Sequence, residues 1–269
     1  MLGTELMKVF SASEALWGVD VDQLDITNAA RCNEVIGALA PDVVVNAAAL
    51  TAVDYCESHA EEAFRVNGEG AGNLAGAAAA VGALLVHYST DYIFDGLKRG
   101  PYTEDDPPAP RSAYGRSKLQ GEERIREKCP NHIITRTAWL FGRNGNNFIR
   151  TILAAAAEGR QLRVVDDQRG SPTYACDLAA WTALMIEGGC RGIYHVTNSG
   201  ACTWYELAVR VVEWSALTGV DVTPVTTEEF PRPAPRPANS VLVNKRLAEA
   251  GLPSMRPWQD AVREYLHEP

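Results

Sequence analysis

Tyr114 and Lys118 form the pair of side chains in this sequence that is best suited to proton transfer. Residues four positions apart stand on one face of a helix, so the Lys118 ammonium would lie beside the Tyr114 phenol. A cation there would stabilise the phenolate and lower the tyrosine pKa from about 10 towards neutrality. A tyrosine tuned in this way passes a proton to or from a substrate oxygen. This spacing is common in helices. Only the neighbouring sequence can therefore distinguish a catalytic pair from an exposed pair on a helix surface.

Polar side chains follow two apolar stretches upstream of that pair. Asp42 to Ala47 and Leu84 to Tyr88 are short and apolar, as expected of buried strands in a parallel sheet. The second stretch leads into Thr90 and Asp91. Ligands of open α/β sheets bind at the carboxyl ends of the strands. We therefore expect the Thr90 hydroxyl to face a ligand, and the small residues 47–49 to let a flat molecule approach the backbone.

Short apolar runs alternate with helix-length segments, which predicts an α/β fold with a Rossmann-like, doubly wound parallel sheet. Further strands are predicted at 133–137, 162–165 and 193–196, and helices at 57–81, 112–127, 147–158, 177–187 and from 203 to about 217, with two short helices in the last 25 residues. The five prolines between 224 and 237 indicate a loop or polyproline-like segment, because proline cannot pair in a central strand. Residues 1–142 are predicted to form a dinucleotide-binding domain to which some later segments return. Residues 143–269 are predicted to form mainly a smaller, irregular α/β substrate cap.

Composition and charge exclude several classes of protein. The formal net charge of −9 over 269 residues disfavours a general nucleic-acid binder, because phosphates need a basic surface. The six cysteines form no C-x-x-C pair and the five histidines show no metal-ligand spacing, so we expect reduced thiols and no metal site. No apolar run approaches the ~18 residues of a membrane span, and the amino terminus has no signal pattern. These features predict a soluble cytoplasmic protein.

A set of longer motifs follows one order along nearly the whole chain. The motifs are N-A-A-A-L-T-A-V-D (46–54), H-Y-S-T-D-Y-I-F-D-G (87–96), Y-G-R-S-K-L-Q-G-E (114–122), R-T-A-W-L-F-G (136–142), G-N-N-F (145–148), D-Q-R-G-S-P-T (167–173) and R-P-A-N-S (236–240). They resemble the extended short-chain dehydrogenase/reductase family and, within it, the dTDP-4-dehydrorhamnose reductases. The resemblance implies reduction of dTDP-4-dehydro-L-rhamnose to dTDP-L-rhamnose in nucleotide-sugar biosynthesis, with NADH or NADPH as cofactor. It also implies a dTDP-sugar as the substrate and a homodimer as the assembly.

The same resemblance implies roles for individual residues. Tyr114 would be the proton donor, Lys118 would support it electrostatically and hold the nicotinamide ribose, and Thr90 would polarise the substrate carbonyl. The substrate would contact Thr90, Asp91 and Trp139. The cofactor would contact a larger set, namely Gly3, Asp20, Asp25, Ile26, Ala49, Leu50, Thr51, Tyr88, Tyr114 and Lys118.

Two features near the amino terminus bear on the cofactor. Asp20 ends a predicted second strand over residues 15–20, where a carboxylate would accept the ribose hydroxyls and repel a 2′-phosphate, favouring NADH over NADPH. Members of the family begin with a strand and a G-x-x-G-x-x-G turn, whereas this chain begins Met1-Leu2-Gly3 and matches only the last glycine. We expect the first strand to be missing from the sheet, either because the natural start lies upstream or because the chain is a degraded or non-catalytic relative.

Several other residues and two other functions have to be weighed. Three arginines could bind the substrate pyrophosphate or merely solvate a loop: Arg169, Arg232 and Arg236. Three tryptophans and a histidine are interpreted as packing residues: Trp204, Trp214, Trp258 and His87. The alternative functions are a nucleotide-sugar epimerase with tightly held NAD, and a regulatory subunit of the same fold, as in the non-catalytic relative that partners a methionine adenosyltransferase.

Overall fold

Helices and short strands alternate along the chain in the computed structural model, which describes residues 1–12 and 15–267. The α-helices are α1 (Leu2–Val9), α2 (Ala29–Leu39), α3 (Val53–Ser58), α4 (Ala60–Ala63), α5 (Ala71–Ala80), α6 (Ala113–Lys128), α7 (Phe148–Ala157), α8 (Ala175–Glu187), α9 (Trp204–Trp214), α10 (Lys245–Glu249) and α11 (Trp258–His267). The strands are β1 (Val43–Asn46), β2 (Leu84–Thr90), β3 (His132–Thr137), β4 (Leu140–Phe141), β5 (Leu162–Val165), β6 (Arg169–Gly170), β7 (Thr173–Tyr174), β8 (Gly192–His195), β9 (Cys202–Thr203) and β10 (Val222–Val225). A π-helix spans Phe64–Gly70 and a 3-10 helix spans Asp91–Ile93.

The central sheet is parallel and has the strand order β1-β2-β3-β8. Its register places Asn46 opposite His87 and Thr90 opposite Thr137. All seven residues of β2 are buried, because helices cover both faces of the sheet. This is the α/β, Rossmann-like architecture that the alternating pattern predicts.

Alternate side chains of β2 enter two different hydrophobic cores, as the two-residue period of a strand requires. On one face, Val86 packs with Leu6 of α1 and Leu178 of α8. On the other face, Leu85 packs with Ala75 of α5 and Ile125 of α6. The helix that carries Tyr114 and Lys118 is thereby held against the strand that carries Thr90.

Polar caps fix where the helices begin, because the first amide groups of a helix have no partner within it. The Ser112 side chain accepts a hydrogen bond from the Gly115 amide at the start of α6. Thr203 and Glu206 form a capping box at the start of α9, the helix that the sequence predicts from residue 203. The cap at Ser112 places Tyr114 in the first turn of α6.

A third hydrophobic core, in addition to the two on the faces of the central sheet, is built from elements after residue 140. It includes Phe141, Ile149, Tyr174, Leu207 and Val211, and three two-stranded sheets flank it. The strand β8 returns from this half of the chain to complete the central sheet. The division into domains of residues 1–142 and 143–269 stays a prediction.

The second strand predicted over residues 15–20 is wrong, since the structure has no strand there. Among the described residues, β1 pairs with β2 alone, and residues 15–20 pair neither with the free edge of β1 nor with any other strand. Trp17 and Val19, which suggest a strand by their type, are 56% and 51% exposed and enter no core. Asp20 therefore lies in a turn and does not follow a strand.

Two other predicted elements differ in detail. The helix predicted at 57–81 is divided into α3, α4, the π-helix and α5, and it begins at Val53. The proline-rich segment predicted as a loop starts with the strand β10, in which Pro224 lies opposite Val164. Proline is tolerated because β10 pairs with β5 alone and so needs hydrogen bonds on one side only. The structure describes all six cysteines and joins none by a disulfide. No described helix is long and apolar enough to cross a membrane.

Candidate active site

Tyr114, Thr90 and Asp91 lie together where β2 ends and α6 begins. All three are buried, and the Tyr114 phenol and the Thr90 hydroxyl share a hydrogen bond. The Thr90 Oγ1 donates to Asp91 Oδ1 at 3.0 Å and accepts from the Tyr92 amide at 3.2 Å. The Tyr92 ring meets the Tyr114 ring edge-on, with the centroids 5.6 Å apart. The strand end thus brings a phenol, a hydroxyl and a carboxylate into contact, as the sequence predicts.

The pKa of Tyr114 is raised above its ordinary value of 10, contrary to the lowering expected from the sequence. Burial is the largest cause, because it penalises the charged phenolate, and the Asp91 carboxylate adds to it. The hydrogen bond with Thr90 acts in the opposite direction. The Lys118 ammonium, one helical turn away, donates its hydrogen bond to the Tyr88 carbonyl and not to the phenol. Tyr114 therefore stays protonated at neutral pH.

Lys118 is buried one turn along α6 from Tyr114, with only 2% of its surface exposed. Its Nζ donates to the carbonyl oxygen of Tyr88 at 2.5 Å and lies 3.2 Å from Nε2 of His87. Burial lowers the pKa of Lys118 to about 8, against the opposing charge of Glu122. The Glu122 carboxylate pairs with the buried Arg136 at 2.7 Å, so its negative charge raises the pKa of Lys118 only in part.

Two polar atoms at the end of β2 are buried and have no hydrogen-bond partner among the described residues. They are Ser89 Oγ and Asp91 Oδ2. Burial raises the pKa of Asp91 to about 6, although hydrogen bonds from Ser240 and Thr90 oppose the shift. Unpaired polar atoms are costly in an interior. Their presence here fits a site that receives a polar ligand.

Trp139 is held next to this site by unusual backbone and close packing. Its φ of +46° lies in the left-handed region, which a large side chain adopts rarely. Its ring stacks on Trp204, with centroids 3.5 Å apart. A Cβ on Gly170 would lie 2.3 Å from the Trp139 ring, so only glycine fits there. Trp204 is a packing residue as predicted. It packs against Trp139, the residue that the resemblance assigns to substrate contact.

Asp54 engages two of the three arginines that could bind a pyrophosphate. Arg236 contacts Asp54 Oδ1 at 2.8 Å, and Arg232 lies 3.8 Å from its other oxygen. The Ala234 amide also donates to Asp54 at 3.2 Å. These contacts tie the proline-rich segment to α3. Arg169 lies in β6, where its backbone pairs with Thr203.

The predicted cofactor residues after β1 are positioned by a side chain that the sequence analysis missed. Asn67 of the π-helix accepts from the Leu50 amide at 2.8 Å and donates to the Leu50 carbonyl at 3.0 Å. It also donates to Ser117 of α6 at 3.0 Å. This double hydrogen bond fixes the loop of Ala49, Leu50 and Thr51 beside α6. The sequence offers little signal for this role, because Asn67 stands among other polar residues such as Arg65 and Glu69.

The remaining predicted cofactor residues have unequal positions. The Tyr88 side chain enters the opposite face of the sheet, where its hydroxyl lies 2.8 Å from Thr182 Oγ1, so only its carbonyl faces Lys118. Gly3 lies in the first turn of α1, with no atom within 4 Å of an added Cβ. Asp25 accepts from the amide and the hydroxyl of Thr27, which lower its pKa.

Ile26 is buried and would collide with a Cβ on Gly70. Asp20 is exposed and accepts from the Val21 amide. The open space at Gly3, the exposed Ala47 and Ala48 and the half-buried Ala49 are compatible with a dinucleotide that reaches the unpaired atoms at the end of β2.

Comparisons with known proteins identify the family of the chain. A family model described as the RmlD substrate binding domain matches residues 1–269. The dTDP-4-dehydrorhamnose reductase of Burkholderia thailandensis is 40% identical, over 97% of this chain and 93% of its own length. A probable dTDP-4,6-dihydroxy-2-methyloxan-3-one 4-ketoreductase of Streptomyces antibioticus is 43% identical, over 98% of this chain and 90% of its own. The crystal structure of the dTDP-4-dehydrorhamnose reductase of Bacillus anthracis in complex with NADP is 36% identical, covers 100% of this chain and 95% of its own, and has a TM-score of 0.97.

Proposed function

The chain belongs to the RmlD substrate binding domain family, and we propose that it reduces dTDP-4-dehydro-L-rhamnose to dTDP-L-rhamnose with NADH or NADPH. It is an oxidoreductase of nucleotide-sugar biosynthesis, as is the reductase of similar sequence and near-full coverage. The related structure with bound NADP supports the choice of a nicotinamide cofactor. The observation that carries the proposal is the buried contact of Tyr114 with Thr90 at the carboxyl end of a parallel strand.

Reduction of a ketone needs a hydride at the carbonyl carbon and a proton at the carbonyl oxygen. The nicotinamide cofactor, when bound, supplies the hydride and is oxidised. Tyr114 supplies the proton, because burial keeps its phenol protonated at neutral pH. The Thr90 hydroxyl polarises the carbonyl oxygen and shares a hydrogen bond with that phenol. A negative charge on Tyr114 after transfer is stabilised by the Lys118 ammonium, one helical turn away.

The substrate and cofactor are proposed to occupy opposite sides of this strand end. Asp91 and Trp139 contact the sugar nucleotide. The third hydrophobic core supports Trp139 through the ring of Trp204, which stacks on it. Residues 49–51 and Lys118 contact the nicotinamide half of the cofactor, and Gly3 lies at its pyrophosphate. The enzyme is further proposed to act in the cytoplasm as a homodimer, with residues 1–142 mainly holding cofactor and residues 143–269 mainly holding substrate.

Cofactor oxidation with dTDP-4-dehydro-L-rhamnose tests the proposal. The purified chain should consume NADH or NADPH only when the keto sugar is present and should release dTDP-L-rhamnose in equal amount. An epimerase would instead carry bound NAD after purification and would interconvert sugars without net cofactor consumption. A regulatory subunit would show no turnover and would capture a synthetase in a pull-down. Either result would overturn the reductase assignment.

A further inference from the structure

Three buried polar side chains form a line from β1 to α6, and the proposed reaction uses only the last of them, Lys118. Asn46 and His87 lie directly opposite each other in the register of β1 and β2. Asn46 Nδ2 lies 3.0 Å from His87 Nδ1, and His87 Nε2 lies 3.2 Å from Lys118 Nζ. The three residues are 4%, 1% and 2% exposed, so water does not compete for these contacts.

The hydrogen bonds of Asn46 decide which nitrogen of His87 carries the proton. The Ala48 amide donates to Asn46 Oδ1 at 3.0 Å, which fixes the orientation of the side-chain amide. The NH₂ group of Asn46 therefore faces His87 Nδ1, and Nδ1 must accept. Burial and the neighbouring Lys118 hold the pKa of His87 well below its usual range, so the ring is neutral. Its single hydrogen is then on Nε2.

An imidazole N–H pointing at Lys118 has a consequence for that lysine. An ammonium has three donors and no acceptor, so it cannot accept the Nε2 hydrogen, whereas a neutral amine can. The bond from Nζ to the Tyr88 carbonyl is compatible with both forms. The contact with His87 therefore favours the neutral amine, in the same direction as burial.

We propose that Asn46 and His87 are positioning residues for Lys118, which lock the imidazole in its Nε2–H tautomer and so make Lys118 give up its proton more readily. This proposal rests on the proposed function, in which Lys118 supports Tyr114. The other charged or titratable groups near this line are Glu122 and Arg136, which pair with each other, and Tyr114 and Asp91 at the strand end. Glu122 raises the pKa of Lys118 through its charge, but an exchange at Asn46 leaves Glu122 and its partner in place, so the difference from the wild type reports on Asn46.

A measurement without substrate tests the tautomer directly. Two-bond ¹⁵N–¹H correlations of the histidine rings distinguish a protonated from an unprotonated ring nitrogen. In the wild-type chain at pH 7, we expect His87 to carry its proton on Nε2 and none on Nδ1. A proton on Nδ1, or on both nitrogens, would overturn the proposal whatever the enzyme reduces.

The substitution Asn46→Asp tests the effect on Lys118. A carboxylate at this position accepts a hydrogen from Nδ1, which leaves a lone pair on Nε2 for the Lys118 ammonium. The alkaline limb of the kcat/KM profile, expected near the Lys118 pKa of about 8, should move up by roughly one pH unit, the worth of one reversed hydrogen bond. His87→Gln, whose amide can turn its oxygen towards Lys118, should move the limb in the same direction.

The matched control is Thr182→Val, which removes a hydroxyl contact of β2 on the opposite face of the sheet. Its alkaline limb should coincide with that of the wild type. An unmoved limb in both Asn46→Asp and His87→Gln would overturn the proposal. If Asn46→Asp fails to fold, His87→Gln and the wild-type tautomer decide the matter. Absence of any turnover in the wild type would count against the proposed reductase function. The tautomer measurement would still test whether Asn46 fixes the proton of His87 on Nε2.

Discussion

Burial raises the pKa of both Tyr114 and Asp91, with different consequences at neutral pH. Tyr114 starts from 10 and so remains a proton donor, whereas Asp91 reaches only about 6 and remains mostly a carboxylate. The same strand end therefore offers a donor and an acceptor side by side. A reaction that adds a proton to one oxygen and binds the neighbouring hydroxyls of a sugar needs both.

Replacing Tyr114 with phenylalanine should lower kcat by about 10² to 10⁴, the usual worth of a positioned acid. The substitution removes only the hydroxyl, so the melting temperature should change little. Steady-state rates and thermal melts of the variant give both quantities. Tyr265→Phe, which loses a phenol hydroxyl in the third core, serves as the control and should keep its rate. Full activity in Tyr114→Phe would remove this residue from the mechanism.

Asp91→Asn should stabilise the protein above pH 6 and not below pH 4. The native pKa of Asp91 is raised from 3.8 to about 6, so the folded state loses stability as pH rises through that window. The gain at pH 7.5 should be on the order of 2–3 kcal/mol, from urea unfolding at several pH values. Asp95→Asn should have the opposite sign, because a hydrogen bond from Tyr102 lowers the Asp95 pKa. A gain in the free energy of unfolding that does not depend on pH would contradict the explanation that a buried Asp91 charge destabilises the fold.

At the scale of elements, the close packing of the π-helix against α6 also positions residues of the site. A Cβ on Gly121 would lie 2.4 Å from the Asn67 carbonyl oxygen, so the two helices touch through backbone. The same Asn67 holds the Leu50 loop with its side chain. Interruptions of this kind in α-helices are common at functional sites.

Gly121→Ala should therefore destabilise the fold by about 1–3 kcal/mol, the cost of overpacking, and should raise the KM for cofactor. Gly76→Ala in α5 is the matched control, since its Cβ would meet nothing within 4 Å. That control should be neutral or stabilising by roughly 0.5–1 kcal/mol, because alanine favours a helix over glycine. Unfolding curves and cofactor titrations of both variants decide. Equal behaviour of the two would mean that the close approach is not needed.

The sequence predicts those elements whose signal is local. Strand β5 has the predicted bounds, and α6 and α9 begin within one residue of the predicted starts at 112 and 203, because periodicity and capping act within a few residues. The strand at 15–20 fails because pairing depends on a neighbouring strand. The site follows the same rule: Thr90 and Tyr114 were predicted, whereas the contacts of His87 with Asn46 and Lys118, 41 and 31 residues away, depend on sheet register and helix packing.

Across the whole molecule, protection of the backbone should follow the sheet order. Strand β2 is paired on both sides and fully buried, whereas β1 has one partner strand and residues 15–23 have none. Hydrogen exchange should therefore be slowest in β2, faster in β1 and fastest at 15–23, since local opening is easiest where burial is least. Mass spectrometry of peptides from the three segments gives the comparison. Strong protection at 15–23 would require a contact absent from the described residues.

The return of β8 to the central sheet has a consequence for synthesis of the chain on the ribosome. Strand β3 ends at Thr137, and its second partner is complete only at His195. At about 5–20 residues per second, translation leaves that edge without its neighbour for roughly 3–12 s. During that interval a nascent chain exposes the edge of an otherwise assembled sheet, which other nascent chains can pair with. We therefore expect that shielding this edge until β8 joins would reduce pairing between nascent chains.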